Sequence, residues 1–548
     1  MEDLDKVTYF GAADARGKNT PFGIRKGDRA RHMYVIGKTG MGKSTLLENL
    51  AIQDINNGEG MAFIDPHGST AETLLDYIPE HRVKDVVYFA PFDLDNPIAF
   101  NVMEDVGYDK RHLVVSGLMS TFKKIWVDAW SARMEYILTN TLLALLEYPG
   151  STLLGVNRMY TDNDYRKAVV DNISDPVVKD FWEKEYAGYT DRFTKEATPA
   201  IQNKIGQFTS NPVIRNIIGQ PKSSFDIREI MDQKKILIIN LSKGQIGDTN
   251  AQLLGSMLTT RLYLAAMSRA DLKKTELNKL PPFYFYVDEF QNFANETFAE
   301  ILSEARKYKL NLIIAHQYIE QMEEEVKNAV FGNVGTTVSF RVGPFDAEVL
   351  ETVFTPNFTK EDLVNLGQYQ IYLSLMINGV GSQPFSALTI PPIEAPDISY
   401  REDVIKNSKQ IYGHERAGIE KEVSEGFIPL KSQVKNSKED KGSPKKNENT
   451  FAPKKNNSAP KTNTPKNDIK KFETKRSEKT LGDLRETLQK VAAKNGGNKN
   501  DKKIATEQDV NPLKEALKKV GVQKTEKTPA KTNEVPEEVL KQIIADDS

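Results

Sequence analysis

"RHMYVIGKTGMGKSTLLENL", residues 31–50, decides the fold. The β-rich run "MYVI" leads into a glycine-rich loop, and a helical pattern, "LLENLAIQDI", follows it. The loop residues Gly37, Lys38, Thr39, Gly40, Met41, Gly42, Lys43, Ser44 and Thr45 fit the pattern G-x-x-x-x-G-K-[ST]. Gly37, Gly40 and Gly42 let backbone N–H groups wrap a phosphate chain, Lys43 reaches the β and γ oxygens, and the Ser44 hydroxyl is offered to magnesium. Strand, loop and helix in this order predict a site for ATP and Mg2+.

Such a loop needs a strand-end carboxylate, and two stretches supply one: "MAFIDPHGST", residues 61–70, and "YFYVDEFQNF", residues 284–293. Five aromatic or β-branched residues, "FYFYV", read as a buried central strand that delivers Asp288 followed at once by Glu289. Asp288 suits the magnesium, through water, and Glu289 suits the proton of an attacking water. In the earlier stretch Pro66 fills the position where a base would stand. Asp65 is then either a cap on backbone amides of an Asp-Pro-His-Gly turn or a contact to nucleotide or water, and His67 stays beside it without an assigned step.

Working outward, "MYVI", "MAFI" and "VVYF" alternate with helical patterns between residues 30 and 100, which predicts a parallel sheet covered by helices. Residues 105–230 change texture to long helical periodicities such as "RMEYILTNTLLALLEY" and carry Trp126, Trp130 and Trp182. Strand patterns then return as "KILIINL", "FYFYV", "LNLIIA", "TVSFRV" and "IYLSLM". The helical block therefore reads as inserted into one α/β domain, giving segments 1–104, 105–230, 231–425 and a tail, 426–548.

"LNLIIAHQ" ends in His316 and Gln317, and a strand-end amide there can sense a γ-phosphate. "GTTVSFRVG" places Arg341 inside an apolar strand, where a guanidinium needs an anionic partner. That partner is a carboxylate of the same subunit or the γ-phosphate held by a neighbour, with Arg306 the competing trans arginine.

The chain has 548 residues and no cysteine, which closes disulfide frameworks and zinc-finger readings and suits a reducing compartment. No window approaches the eighteen or so apolar residues of a spanning helix, so a soluble, cytoplasmic protein is expected. The formal charge of −2 conceals an asymmetry: residues 401–548 hold about 33 Lys and Arg against about 24 Asp and Glu, so the tail is basic and the body acidic. The tail composition, as in "KGSPKKNENTFAPKKNNSAPKTNTPKND", predicts disorder interrupted by short amphipathic islands at "LGDLRETLQKV", "NPLKEALKKVG" and "PEEVLKQII".

Taken with "FIDPHG", "NKIGQF", "KILIINLSKGQIGD", "ILSEARKYKLNLIIAHQYIEQM" and "GNVGTTVSFRVG", the glycine loop and "FYFYVDEFQNF" resemble the coupling ATPases of conjugation and type IV secretion, within the HerA–FtsK superfamily. The resemblance covers about residues 5–420. It implies a RecA-like core with an inserted all-helical domain, a homo-hexameric ring with ATP between subunits, and DNA or nucleoprotein driven through the channel. It also implies nucleotide-loop roles for Lys43 and Ser44, a magnesium and hydrolysis pair in Asp288 and Glu289, a sensor in Gln317, and an arginine finger at Arg341. Membrane-bound relatives begin with transmembrane helices, whereas this chain starts almost at the core. A soluble motor, or one recruited to the inner face of the membrane through its tail, is the expectation. Two other readings stay open: a secretion-assembly ATPase that never grips DNA, and a scaffold whose tail recruits partners.

Overall fold

The computed structural model describes residues 4–15 and 18–426. The tail islands expected beyond residue 426 lie outside the described residues.

An eleven-stranded sheet organises the body. Its strands are β1 (Val7–Ala15), β2 (Lys18–Arg25), β3 (Met33–Ile36), β4 (Gly60–Asp65), β5 (Val86–Phe89), β6 (Ile236–Asn240), β7 (Phe283–Val287), β8 (Leu310–His316), β9 (Thr336–Ser339) and β10 (Gln370–Ser374), with β13 (Phe385–Thr389). The small ribbon β11 (Met376–Ile377) and β12 (Val380–Gly381) pairs separately. The order is β2-β1-β13-β10-β9-β3-β8-β7-β4-β6-β5. From β9 to β5 every pairing is parallel, whereas β10, β13, β1 and β2 pair antiparallel.

Burial explains the strand sequences. Every residue of β3, β4, β6, β7 and β8 is buried, as a parallel sheet with both faces covered requires, and each run is correspondingly apolar. The faces separate by alternation. Met33 and Val35 join the cluster of α1 (Lys43–Asn56) and α2 (Ser69–Asp76), whereas Tyr34 and Ile36 join the opposite cluster.

The helical stretch supplies much of that opposite cluster, together with the helix Asp248–Met267. Among the described residues, every regular element from Tyr108 to Asp232 is a helix, beginning with α3 (Arg111–Ile125) and α4 (Ala132–Glu147). Val114, Leu118 and Phe122 of α3 share one continuous apolar cluster with Phe285, Val287 and Ile314 of the sheet. Phe122 stacks on Trp126 at 5.3 Å and on Phe208 at 6.1 Å. Truncating such a buried ring to Ala costs about 3–5 kcal/mol.

One expected strand is shorter than its pattern. "TVSFRV" continues apolar, but β9 stops at Ser339 and the chain bends. Phe340 and Val342 are fully buried, in the clusters on opposite faces of the sheet, whereas Arg341 between them is only half-buried. Arg341 is thus not a guanidinium buried within a strand.

Candidate nucleotide site

The glycine loop joins β3, in the middle of the sheet, to α1. Gly40 and Gly42 hold φ of 76° and 118°, which side chains rarely adopt. Gly37 is required for a different reason, since a Cβ there would stand 2.5 Å from the Phe340 Cβ. Gly42 precedes α1 with no side-chain cap, so no side chain occupies the first-turn amides of the helix, the arrangement that receives a phosphate.

Parallel order brings the other residues to the same end of the sheet. β8 lies between β3 and β7, so residues just past β8 stand between the loop and the acids past β7. Ser44 Oγ is 3.3 Å from Asp288 Oδ2. Thr39 Oγ1 donates to Gln317 Oε1 at 2.9 Å, and Gln317 Nε2 donates in turn to Glu289 Oε1. Gln291 Nε2 donates to the other carboxylate oxygen, Oε2, at 2.6 Å. Glu289 itself sits at φ 48°, ψ 49°, a left-handed conformation costing about 1–3 kcal/mol that turns its carboxylate between the two amides.

The electrostatics are uneven. Burial, reinforced by Glu289 and Asp65, pushes Asp288 up to about 7. Burial lowers the Lys43 ammonium, while Glu289 and Asp288 act against that lowering. Lys43 Nζ donates to Gly37 O at 2.5 Å and to Lys38 O at 3.2 Å, which holds it folded against its own loop.

No group of three or more His, Asp or Glu among the described residues forms a dedicated metal cage. Ser44 and Asp288, 3.3 Å apart, are side chains that could hold magnesium, with phosphate and water completing its shell.

Asp65 resolves toward one of its two readings. Its Oδ1 accepts from His67 N at 2.8 Å and its Oδ2 from Ala71 N at 3.0 Å, so both oxygens cap backbone amides. His67 is exposed and lines the cavity, which has a volume of about 320 Å³ and is also lined by Thr39, Lys43, Ser44, Asp288, Glu289 and Gln317. Arg341 and Arg306 are not among its lining residues. Arg341 touches the loop through its backbone, its carbonyl accepting from Lys38 N at 2.9 Å, and Arg306 is exposed in the turn Ala305–Tyr308.

The remaining site neighbours escaped sequence reading. Tyr369 lines the cavity, sits at φ 64° and donates its N–H to Met41 O, while Gln368 Nε2 donates to Gly40 O at 3.1 Å. Nothing in "LGQYQ" signals this, because the approach depends on β10 folding back beside β9. Gln291 carried a usable signal: it stands two residues after Glu289 in the same strand-end turn.

A phosphate loop after a central strand, with an Asp-Glu pair one strand removed and a glutamine between, defines a P-loop nucleotide-binding protein of mixed α/β architecture. Residues 20–352, more than half of the chain, match the family model of the type IV secretion-system coupling protein DNA-binding domain, and the chain belongs to that family. Among solved structures, plasmid coupling protein TrwB bound to a non-hydrolysable ATP analogue matches with a TM-score of 0.50 and 15% identity, covering 73% of this chain and 91% of that one. TrwB with ADP and Mg2+ follows at 0.49 and 17%, covering 74% and 92%. VirB4 of Thermoanaerobacter pseudethanolicus gives 0.45 and 16%, covering 73% and 99%. No curated protein sequence matches significantly. Among the described residues no helix is long and apolar enough to cross a membrane.

Proposed function

We propose that this protein is an ATP-hydrolysing ring motor that moves DNA or nucleoprotein, in the manner of a coupling protein of conjugation and type IV secretion. The observation that carries the proposal is the convergence of Lys43, Ser44, Asp288, Glu289 and Gln317 on one cavity within a chain of the coupling-protein family.

In this reading residues 37–45 bind the triphosphate of ATP, with Lys43 leaving its loop carbonyls for the β and γ oxygens. Magnesium, when bound, would neutralise charge on the β- and γ-phosphates, with Ser44 and Asp288 as its side-chain ligands. Glu289 orients the attacking water and accepts its proton. Gln317, tied to Thr39 of the loop and to Glu289, reports to the base whether the γ-phosphate is present. Arg341, just past β9 and half exposed, serves a neighbouring subunit's nucleotide in a homo-hexamer, with Arg306 the alternative. The segment 105–230 is the helical insert, and the basic tail contacts secretion or conjugation partners, which would recruit the protein to the membrane from the cytoplasm.

ATP turnover with and without single- or double-stranded DNA at low salt tests the motor. Stimulation by DNA is expected, and its absence would favour a secretion-assembly ATPase, a reading that the acidic body supports. Glu289→Gln should bind ATP and assemble yet barely hydrolyse it. Near-normal turnover would place the base elsewhere.

A further inference from the structure

We infer that Lys124 is a positioning residue for Glu289, acting through the turn at residues 290–294 and the amide of Gln291. The inference rests on the role of Glu289 as base proposed above.

Lys124 lies in the last turn of α3, within the helical stretch, far in sequence from the strand-end acids. Its ammonium does not extend into solvent. Lys124 Nζ donates to Gln291 O at 2.5 Å and also to Ala294 O. These carbonyls close the turn Phe290–Asn292, in which Phe290 O accepts from Phe293 N at 2.9 Å and Ala294 N at 2.8 Å. A cation at the carbonyl end of such a turn satisfies acceptors that have no following amide and complements their partial negative charge. Withdrawal from water lowers this ammonium to about 8, with Glu323 opposing and Lys243 reinforcing the shift.

The turn carries the second hold on Glu289. Gln317 engages Oε1 and Gln291 engages Oε2, so the two carboxylate oxygens are fixed by amides from different elements. Among the described residues Gln291 Oε1 has no hydrogen-bond partner, so beyond its bond to Glu289 the amide is placed by its own backbone. Where its N–H points is set by the backbone of the turn, and Lys124 holds that backbone at two carbonyls. Thr121, one turn earlier on α3, receives a bond from Asn295 Nδ2 at 3.4 Å, and Lys243 Nζ donates to Asn292 Oδ1 at 2.8 Å. The end of α3 and the base therefore move together. A misplacement of about 1 Å at a base costs on the order of 100-fold in rate. Movement of the helical stretch thereby has a direct mechanical route to hydrolysis.

The test compares Lys124→Met, Gln291→Leu, the double variant and Glu289→Gln in the full chain, measuring kcat and KM for ATP. Each single variant should lower kcat by about 10-fold or more with KM changed less than about two-fold, and the double should be no slower than the slower single. Wild-type kcat in Lys124→Met, or losses that multiply in the double, would overturn the inference. If Lys124→Met does not fold, Lys124→Gln takes its place: a loss of kcat at unchanged KM that does not multiply with Gln291→Leu supports the inference, and wild-type kcat overturns it. Normal turnover in Glu289→Gln would instead remove the functional reading beneath it.

Discussion

Ser44 Oγ lies 3.3 Å from Asp288 Oδ2, although 244 positions separate them in the chain. The hydroxyl of the phosphate loop and the carboxylate past β7 meet because two strands of one parallel sheet end on the same side. Of the strand-end acids, Asp288 faces the loop, whereas Asp65 spends both oxygens on the turn that starts α2.

Asp288 makes ligand-free stability depend on pH. Its value rises from an ordinary 3.8 to about 7 in the folded protein, which keeps a proton there that the unfolded chain releases. Stability is therefore lost as pH rises from about 4 to about 7. Asp288→Asn removes a buried charge and its repulsion with Glu289 and Asp65, so it should raise the ligand-free Tm at pH 8 by about 2 °C or more while weakening magnesium-dependent nucleotide binding. A scan of Tm against pH with EDTA present checks the stability, and nucleotide titration with and without magnesium checks the binding; an unchanged Tm would refute the assigned burial cost and repulsion.

Gln317 bridges Thr39 and Glu289. Replacing it with Leu keeps the bulk and removes both links. Turnover should fall by about 10-fold to 1,000-fold with ATP affinity nearly unchanged, because the lost contacts orient the base and do not hold phosphate. Fluorescent-nucleotide binding beside steady-state kinetics distinguishes this from a general loss of folding.

Arg341 is a half-exposed arginine with its backbone against the loop of its own subunit. If its side chain serves the neighbour, Arg341→Ala should be inactive alone and regain turnover in mixed rings with Lys43→Ala subunits, each supplying what the other lacks. Mixed rings with no turnover would assign Arg341 to its own subunit.

Arg29 is buried against Asp54 of α1 with two hydrogen bonds of 2.6 and 2.7 Å, and its Nη2 also donates to Tyr286 of β7 at 2.8 Å. The cluster fastens the helix after the phosphate loop to the strand before Asp288. Asp54→Ala would strand a buried guanidinium and should cost about 3–5 kcal/mol, measured by chemical denaturation. A change below about 1 kcal/mol would mean that water reaches the site.

The sequence by itself determined the parts whose physics is local. A phosphate loop is a contiguous chemical pattern, and buried parallel strands are continuous apolar runs, so β3 to β9 were legible, as was the pattern that puts Lys43, Ser44, Asp288, Glu289 and Gln317 on one cavity. The hairpin of β1 and β2 was not, because "VTYFGAADA" lacks a period-two alternation, "KNTPFGIR" carries both proline and glycine, and β1 is joined to the sheet by pairing with β13, which arrives near the end of the body. Only the tertiary structure could decide that Asp65 caps backbone amides with both oxygens, that Arg341 lies past the end of its strand, and that Tyr369 reaches the loop. It also decided that Lys124 turns inward to the carbonyls of Gln291 and Ala294, just past Glu289 in the chain. Those outcomes depend on strand order and on which unpaired polar groups the packing leaves to be satisfied, and neither is written in any contiguous stretch of residues.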